Sequence, residues 1–142
     1  PHEIYEFPVS SFVSRFVGTT NTFEGTIHEE QIEIPGLDPL QIKIPEEKRV
    51  RLLDGTEIIM SLRPEKIFIS KTELEGFDNH LKGSVISIVY HGRSTQYNVR
   101  LENRSLVQVF EQNEEHYLSA DIDYDDEVNL YWQKQSALLL EN

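Results

Sequence analysis

Cysteine is missing from all 142 residues, and alanine nearly so, with Ala120 and Ala137 the only two. The first absence removes structural disulfides, thiolate zinc sites, iron–sulfur clusters and thiol nucleophiles together. The second stands against 13 Ile and 10 Val. β-Branched side chains lose χ1 freedom in a helix and pack well on a pleated surface, so the composition predicts a mostly β protein. Basic residues are scarce as well: 13 Lys and Arg face 25 Asp and Glu, for a formal net charge of −12. Neutralising phosphates needs a clustered excess of cations, which argues against nucleic acid as a partner. Apolar runs are only a few residues long, so nothing reads as a bilayer span or a signal peptide. What is present is ordinary for a globular chain, 38% hydrophobic and 27% charged, which argues against wholesale disorder. The length suits one domain or two small interleaved ones. The start at Pro1 rather than Met suggests a piece of a longer protein.

One segment departs from the β pattern. Val9, Phe12, Val13, Phe16 and Val17 fall at the spacing of one helical face. Pro8 suits the start of that helix, Gly18 the position past its end, and Arg15 the negative end of its dipole. Nine or so residues cannot hold a helix alone, so the stripe must dock on something. From Phe23 onward the period is two. Ile32 and Ile34 face Leu40, Ile42 and Ile44 across a Pro- and Gly-punctuated turn at 35–39, a hairpin. Further strands are predicted at 57–63, 66–70, 81–90, 95–101, 105–110 and 127–132. The polar stretch Lys71–His80 is the best internal boundary. Short strands at this spacing predict a closed or partly open β-barrel. The halves 20–70 and 81–142 suggest two small barrel-like subdomains, with no residue-level repeat seen between them.

Chemical motifs are sparse. There is no G-x-x-x-x-G-K-[ST], so no P-loop, and no G-x-G-x-x-G, G-x-S-x-G or H-E-x-x-H. His28-Glu29-Glu30 is the densest ligand-like triplet and reads as a solvated hairpin start. Asp121-x-Asp123-x-Asp125 imitates the opening of a calcium loop, but Asp126 stands where Gly is needed and Trp132 where the bidentate Glu belongs. Tyr131-Trp132 reads as core rather than as a stacking platform, because its charged neighbours are acids.

The order Glu3-Ile4-Tyr5-Glu6-Phe7-Pro8, Phe12-Val13-Ser14-Arg15-Phe16-Val17-Gly18, Asn21 and Phe23-Glu24-Gly25 resembles a particular junction. In it, ABC-importer ATPase subunits pass into their C-terminal TOBE (transport-associated OB) region. Arg63-Pro64-Glu65 resembles that region's R-P-E motif, Tyr90-His91-Gly92 its Y-x-G turn, and Asp126-Glu127-Val128-x-Leu130-x-Trp132 its closing strand. The spelling is most similar to the spermidine/putrescine type. The resemblance implies an OB-like β-barrel over 20–142, preceded by a junction and short amphipathic helix over 1–19. It implies a regulatory and dimer-supporting region without catalytic residues, the ATP and Mg²⁺ being held by an N-terminal ATPase domain outside this sequence. The implied partners are that domain, a second copy of the subunit, and membrane permease subunits. The implied location is the cytoplasmic face of the inner membrane, peripherally. The stripe Val9–Val17 would clip the ATPase domain to the barrel. Apart from the resemblance, the residues also fit a stand-alone OB-like ligand-binding domain or a purely structural interaction domain.

Two further expectations concern sites. Arg63-Pro64-Glu65 reads as a strand-ending turn, with proline fixing φ and the flanking charges free to bond the turn or each other. From Glu111 to Glu127 there are eight acids in 17 residues and no Lys or Arg. An extended segment would place Asp121, Asp123 and Asp125 on one side, where they could meet the amines of a polyamine.

Overall fold

The computed structural model describes residues 20–92, 94–112 and 122–141. The expected helix over 9–17 and Asp121 lie outside them. Among the described residues ten strands form: β1 (Asn21–His28), β2 (Gln31–Glu33), β3 (Leu40–Gln41), β4 (Glu57–Leu62), β5 (Phe68–Ser70), β6 (Asn79–His91), β7 (Ser94–Leu101), β8 (Leu106–Gln112), β9 (Glu127–Trp132) and β10 (Leu138–Glu141). Among the described residues the only helices are one-turn 3-10 segments at Glu46–Lys48, Pro64–Lys66 and Lys134–Ser136. Alternation drives the strands: in β1, Phe23 and Ile27 are buried while Thr22, Glu24 and His28 are exposed. The protein is mostly β, as expected, and OB-like.

The strands divide into two five-stranded sheets, in the orders β10-β4-β1-β2-β3 and β5-β9-β6-β7-β8. Written by rank within each half, these are one pattern used twice, 4-1-2-3 with a fifth strand beside strand 4. That fifth strand always comes from the other half. β5 pairs with β9, and β10 pairs with β4. The two halves are therefore interlocked by an exchange of strands rather than set side by side.

A residue-level repeat accompanies this topology, contrary to the expectation from sequence. Asn21-Thr22-Phe23-Glu24-Gly25-Thr26-Ile27 corresponds to Asn79-His80-Leu81-Lys82-Gly83-Ser84-Val85. The hydrogen bonds repeat with it. Ile27 N–H donates to Thr56 O (2.9 Å) and Gly55 N–H to Ile27 O (2.8 Å); Val85 N–H donates to Asp126 O (2.9 Å) and Asp125 N–H to Val85 O (2.8 Å). Gly55 and Asp125 both sit at positive φ, 91° and 74°. Glycine takes that conformation freely, and aspartate is one of the few others that tolerates it.

Each sheet curls its apolar face onto a shared core that includes Ile27, Ile32, Met60, Val85, Val99, Leu130 and Trp132, all about 2% exposed or less. Two asparagines close the seams between the sheets. The buried Asn21 side chain donates to Gln108 O (2.9 Å) and accepts from Gln108 N–H (2.8 Å) on β8. The buried Asn79 does the same to Gln41 on β3, at 2.9 and 2.7 Å. Each amide stands in for one residue of a neighbouring strand and satisfies an edge that would otherwise be bare.

Candidate functional site

Residues 71–78 cross from β5 to β6 over one face of β9, and that strand grips them at alternate positions. Asn129 Nδ2 donates to the carbonyls of Ser70 (3.3 Å) and Thr72 (3.4 Å). The Tyr131 hydroxyl accepts Leu74 N–H at 2.9 Å. Gln133 accepts Asp78 N–H at 3.2 Å and donates to Gly76 O at 2.8 Å. The His80 ring stacks on Tyr131 with centroids 4.5 Å apart, and its Nε2 lies 2.8 Å from Asn129 Oδ1. Because the Asn129 amide nitrogen is committed to carbonyls, its oxygen accepts, and the His80 ring donates to it from Nε2. Tyr131 and Trp132 are 2% and 1% exposed. Trp132 packs in the core, while Tyr131 lies on the opposite face of β9 under Phe77, His80 and the crossing segment, a departure from the expectation that both are core; neither offers a face to a base or a sugar.

The exposed faces of the two sheets carry a pair of corresponding clefts. In the second half, a cleft of about 530 Å³ lies over Gly83 and is bordered by Lys82, Ser84, Arg100, Glu102 and Glu127, with Lys71 and Glu73 leaning in from the crossing segment. In the first half, about 220 Å³ lies over Gly25, bordered by Glu24, Thr26, Pro35 and Glu57. Both glycines are required by close approach of a neighbouring strand. A Cβ on Gly25 would fall 2.5 Å from Glu33 O, and one on Gly83 would fall 2.5 Å from Val99 Cγ1 and 2.6 Å from Arg100 O.

Those of the residues singled out from sequence that are described, Arg63, Pro64, Glu65, Asp123 and Asp125, belong to two separate turns. Pro64 is buried and opens the 3-10 turn after β4, where Lys66 N–H returns to Arg63 O (3.0 Å). Arg63 Nε lies 3.6 Å from Glu65 Oε2 with both side chains about half exposed. This turn packs against β8, and its counterpart Lys134–Ser136 lies between β9 and β10. Asp123 and Asp125 do not lie along one side of an extended segment. The chain folds back there, with Asp126 N–H bonded to Asp123 O (3.2 Å) and Asp125 in the left-handed region. The Asp126 carboxylate accepts Asp123 N–H (2.8 Å) and sits 3.3 Å from Lys71 Nζ. The Asp123 N–H bond holds Asp126 below the ordinary carboxylate range; burial opposes it, and Lys71 adds to the lowering. Glu29 and Glu30 form the two-residue turn between β1 and β2, both at positive φ, and Glu30 pairs with Arg49. Among the described residues no cluster of three His, Asp or Glu could hold a metal. Sequence reading used Asn21 and Gly25 only for the family resemblance and passed over Asn79 and Gly83, although the N-x-[FL]-x-G-[ST]-[IV] spelling shared by the two stretches was an available signal.

Residues 60–140, from the middle of β4 almost to the end of β10, match the family model of the TOBE domain. The chain belongs to the TOBE domain family. Among curated proteins, this TOBE chain is 32% identical over 146 residues to the putrescine transport ATP-binding protein PotG of Escherichia coli K12. That alignment covers 99% of the chain and 38% of the relative. It is 30% identical over 149 residues to the spermidine/putrescine import ATP-binding protein PotA of Thermotoga maritima, covering 99% of the chain and 39% of the relative. The chain thus spans about two fifths of the length of the curated relatives it matches. In fold, it superposes with a TM-score of 0.77 on the cytoplasmic molybdate-binding protein ModG, at 15% identity over 89% of this chain and 99% of that one. That likeness shows a shared architecture for the two interlocked halves.

Proposed function

We propose that this TOBE chain is the C-terminal regulatory and dimer-supporting region of the ATP-binding subunit of an ABC importer for polyamines of the spermidine/putrescine type. The observation that carries the reading is coverage. Relatives named for putrescine transport or for spermidine/putrescine import align along 99% of the chain while extending well beyond it. ATP and Mg²⁺ then belong to the ATPase domain of such a subunit, because the present sequence has no P-loop to cradle phosphates. The partners are that domain, a second copy of the subunit and the permease, at the cytoplasmic face of the inner membrane. Among the described residues no helix is long and apolar enough to cross a membrane. An ATPase dimer must open and close without coming apart. A β module tied by strand exchange, away from the catalytic seam, keeps the two ATPase domains at high effective concentration through the cycle.

The test compares the full-length subunit with one truncated before Thr20, each reconstituted with its permease. The truncated form is expected to keep ATP binding but to lose dimer retention and spermidine-stimulated hydrolysis several-fold. Residues 20–142 alone are expected to show no saturable ATP binding by calorimetry. Unchanged coupling after truncation, or micromolar ATP binding by the isolated module, overturns the reading.

A further inference from the structure

The clefts on the two exposed faces are one site built twice with different charges. In the first half, Thr26 of β1 lies opposite Glu57 on one neighbouring strand and Glu33 on the other. In the second half, Ser84 of β6 lies opposite Glu127 and Arg100. The cross-strand row therefore reads acid–hydroxyl–acid in one half and acid–hydroxyl–base in the other. Directly opposed residues have Cβ atoms about 5 Å apart, so Glu127 and Arg100 are rooted about 10 Å apart with the Ser84 hydroxyl between them. One step along the same face, Lys82 stands where the first half has Glu24. Lys82, Arg100 and Glu127 are exposed, and none has an ion-pair partner among the described residues. Opposite charges are held apart on paired strands around a cleft of about 530 Å³.

We propose that this cleft of the second sheet binds a small zwitterion. Its carboxylate is taken by Arg100 and Lys82, its ammonium by Glu127, and the Ser84 hydroxyl bonds between them. A dianion of the same length meets Glu127 and Glu102, and a dication meets Lys82 and Arg100. Selectivity comes as much from these repulsions as from the attractions. The inference does not depend on the transport reading, because it uses only the charge pattern of the two halves.

Three four-carbon probes separate the possibilities: 4-aminobutanoate, 1,4-diaminobutane and butanedioate. Each is titrated into the protein while the backbone amides of Gly83, Ser84 and Arg100 are followed by NMR. Saturable shifts at these amides are expected for the zwitterion, with the other two at least about tenfold weaker, a difference of about 1.4 kcal/mol. Arg100→Glu rewrites the row to match the first half at an exposed position. It is expected to abolish the zwitterion's advantage and to raise the response to the diamine, while Arg100→Gln lowers zwitterion binding without favouring the diamine. Absence of saturation, an equal response to all three probes, preference for butanedioate, or an unchanged profile in Arg100→Glu each overturns the proposal.

Discussion

Asn21 and Asn79 each replace a stretch of neighbouring strand with a single amide. Truncating either removes the partners of one edge-strand N–H and C=O, at part-buried positions, and leaves a hole where the buried amide stood. Asn79→Ala is accordingly expected to destabilise by about 2 kcal/mol or more, read as a lowered denaturant midpoint at unchanged slope. Gly83→Ala is expected to cost about 1–3 kcal/mol by the same measurement, because its methyl group would be driven into Val99 and the Arg100 carbonyl. Asp126 responds to pH in a definite direction. Its carboxyl is held below the ordinary 3.8 by the Asp123 N–H and then by Lys71. The stabilisation is therefore complete above the ordinary value and lost as pH falls through the lowered one. Carboxyl ¹³C shifts should show Asp126 titrating below the ordinary aspartate value, and Lys71→Ala should move it upward.

At the scale of elements, the gripping face of β9 decides whether the crossing segment is ordered. Tyr131→Phe removes the acceptor for Leu74 N–H at a cost of about 1 kcal/mol, and Asn129→Ala frees the carbonyls at 70 and 72. Limited proteolysis within 71–78 should accelerate several-fold in the double variant while the core strands stay protected. Most strands were legible because Phe23, Ile27, Tyr97, Val99, Val107 and Val109 alternate with polar neighbours, and one-sided burial demands that alternation. β3 is shorter than Leu40–Ile44 suggested: Ile42 and Ile44 are buried without continuing the pairing with β2. β10 escaped notice because Leu138-Leu139-Leu140 does not alternate. Neither periodicity nor turn chemistry could reveal which strand it joins, since pairing with β4 is a contact between distant parts of the chain. The charge row Glu127–Ser84–Arg100 was hidden for the same reason, its three members coming from three strands.

For the whole molecule, strand exchange means that neither half contains its own complete sheet. Residues 20–70 lack a partner for β5 and leave an edge of β4 bare, and residues 71–141 are incomplete in the same way. Each fragment alone is expected to be unfolded by circular dichroism. An equimolar mixture is expected to recover the β signal, since every pairing between β4 and β10 and between β5 and β9 is re-formed by mass action. Folding of the intact chain should be slow for its size, because these pairings close long loops before any burial offsets the entropy. Recovery of native structure by either fragment alone would contradict the interlocked topology.

The same arrangement sets how a pull on the chain is carried. β1 and β10 flank β4 and run antiparallel to it, with Asn21 beside Leu62 at one end and Glu141 beside Ile58 at the other. A tug between Thr20 and Glu141 slides β1 and β10 lengthwise along β4, so the ladder bonds are loaded together rather than peeled in turn. The main path of the load runs along the β1–β4–β10 ladder of the first sheet, with a branch into β8 where Asn21 bonds Gln108, and the face bearing Ser84 and Arg100 lies off that ladder. A rise in tension upstream of Thr20 is therefore expected to load the first sheet before the second.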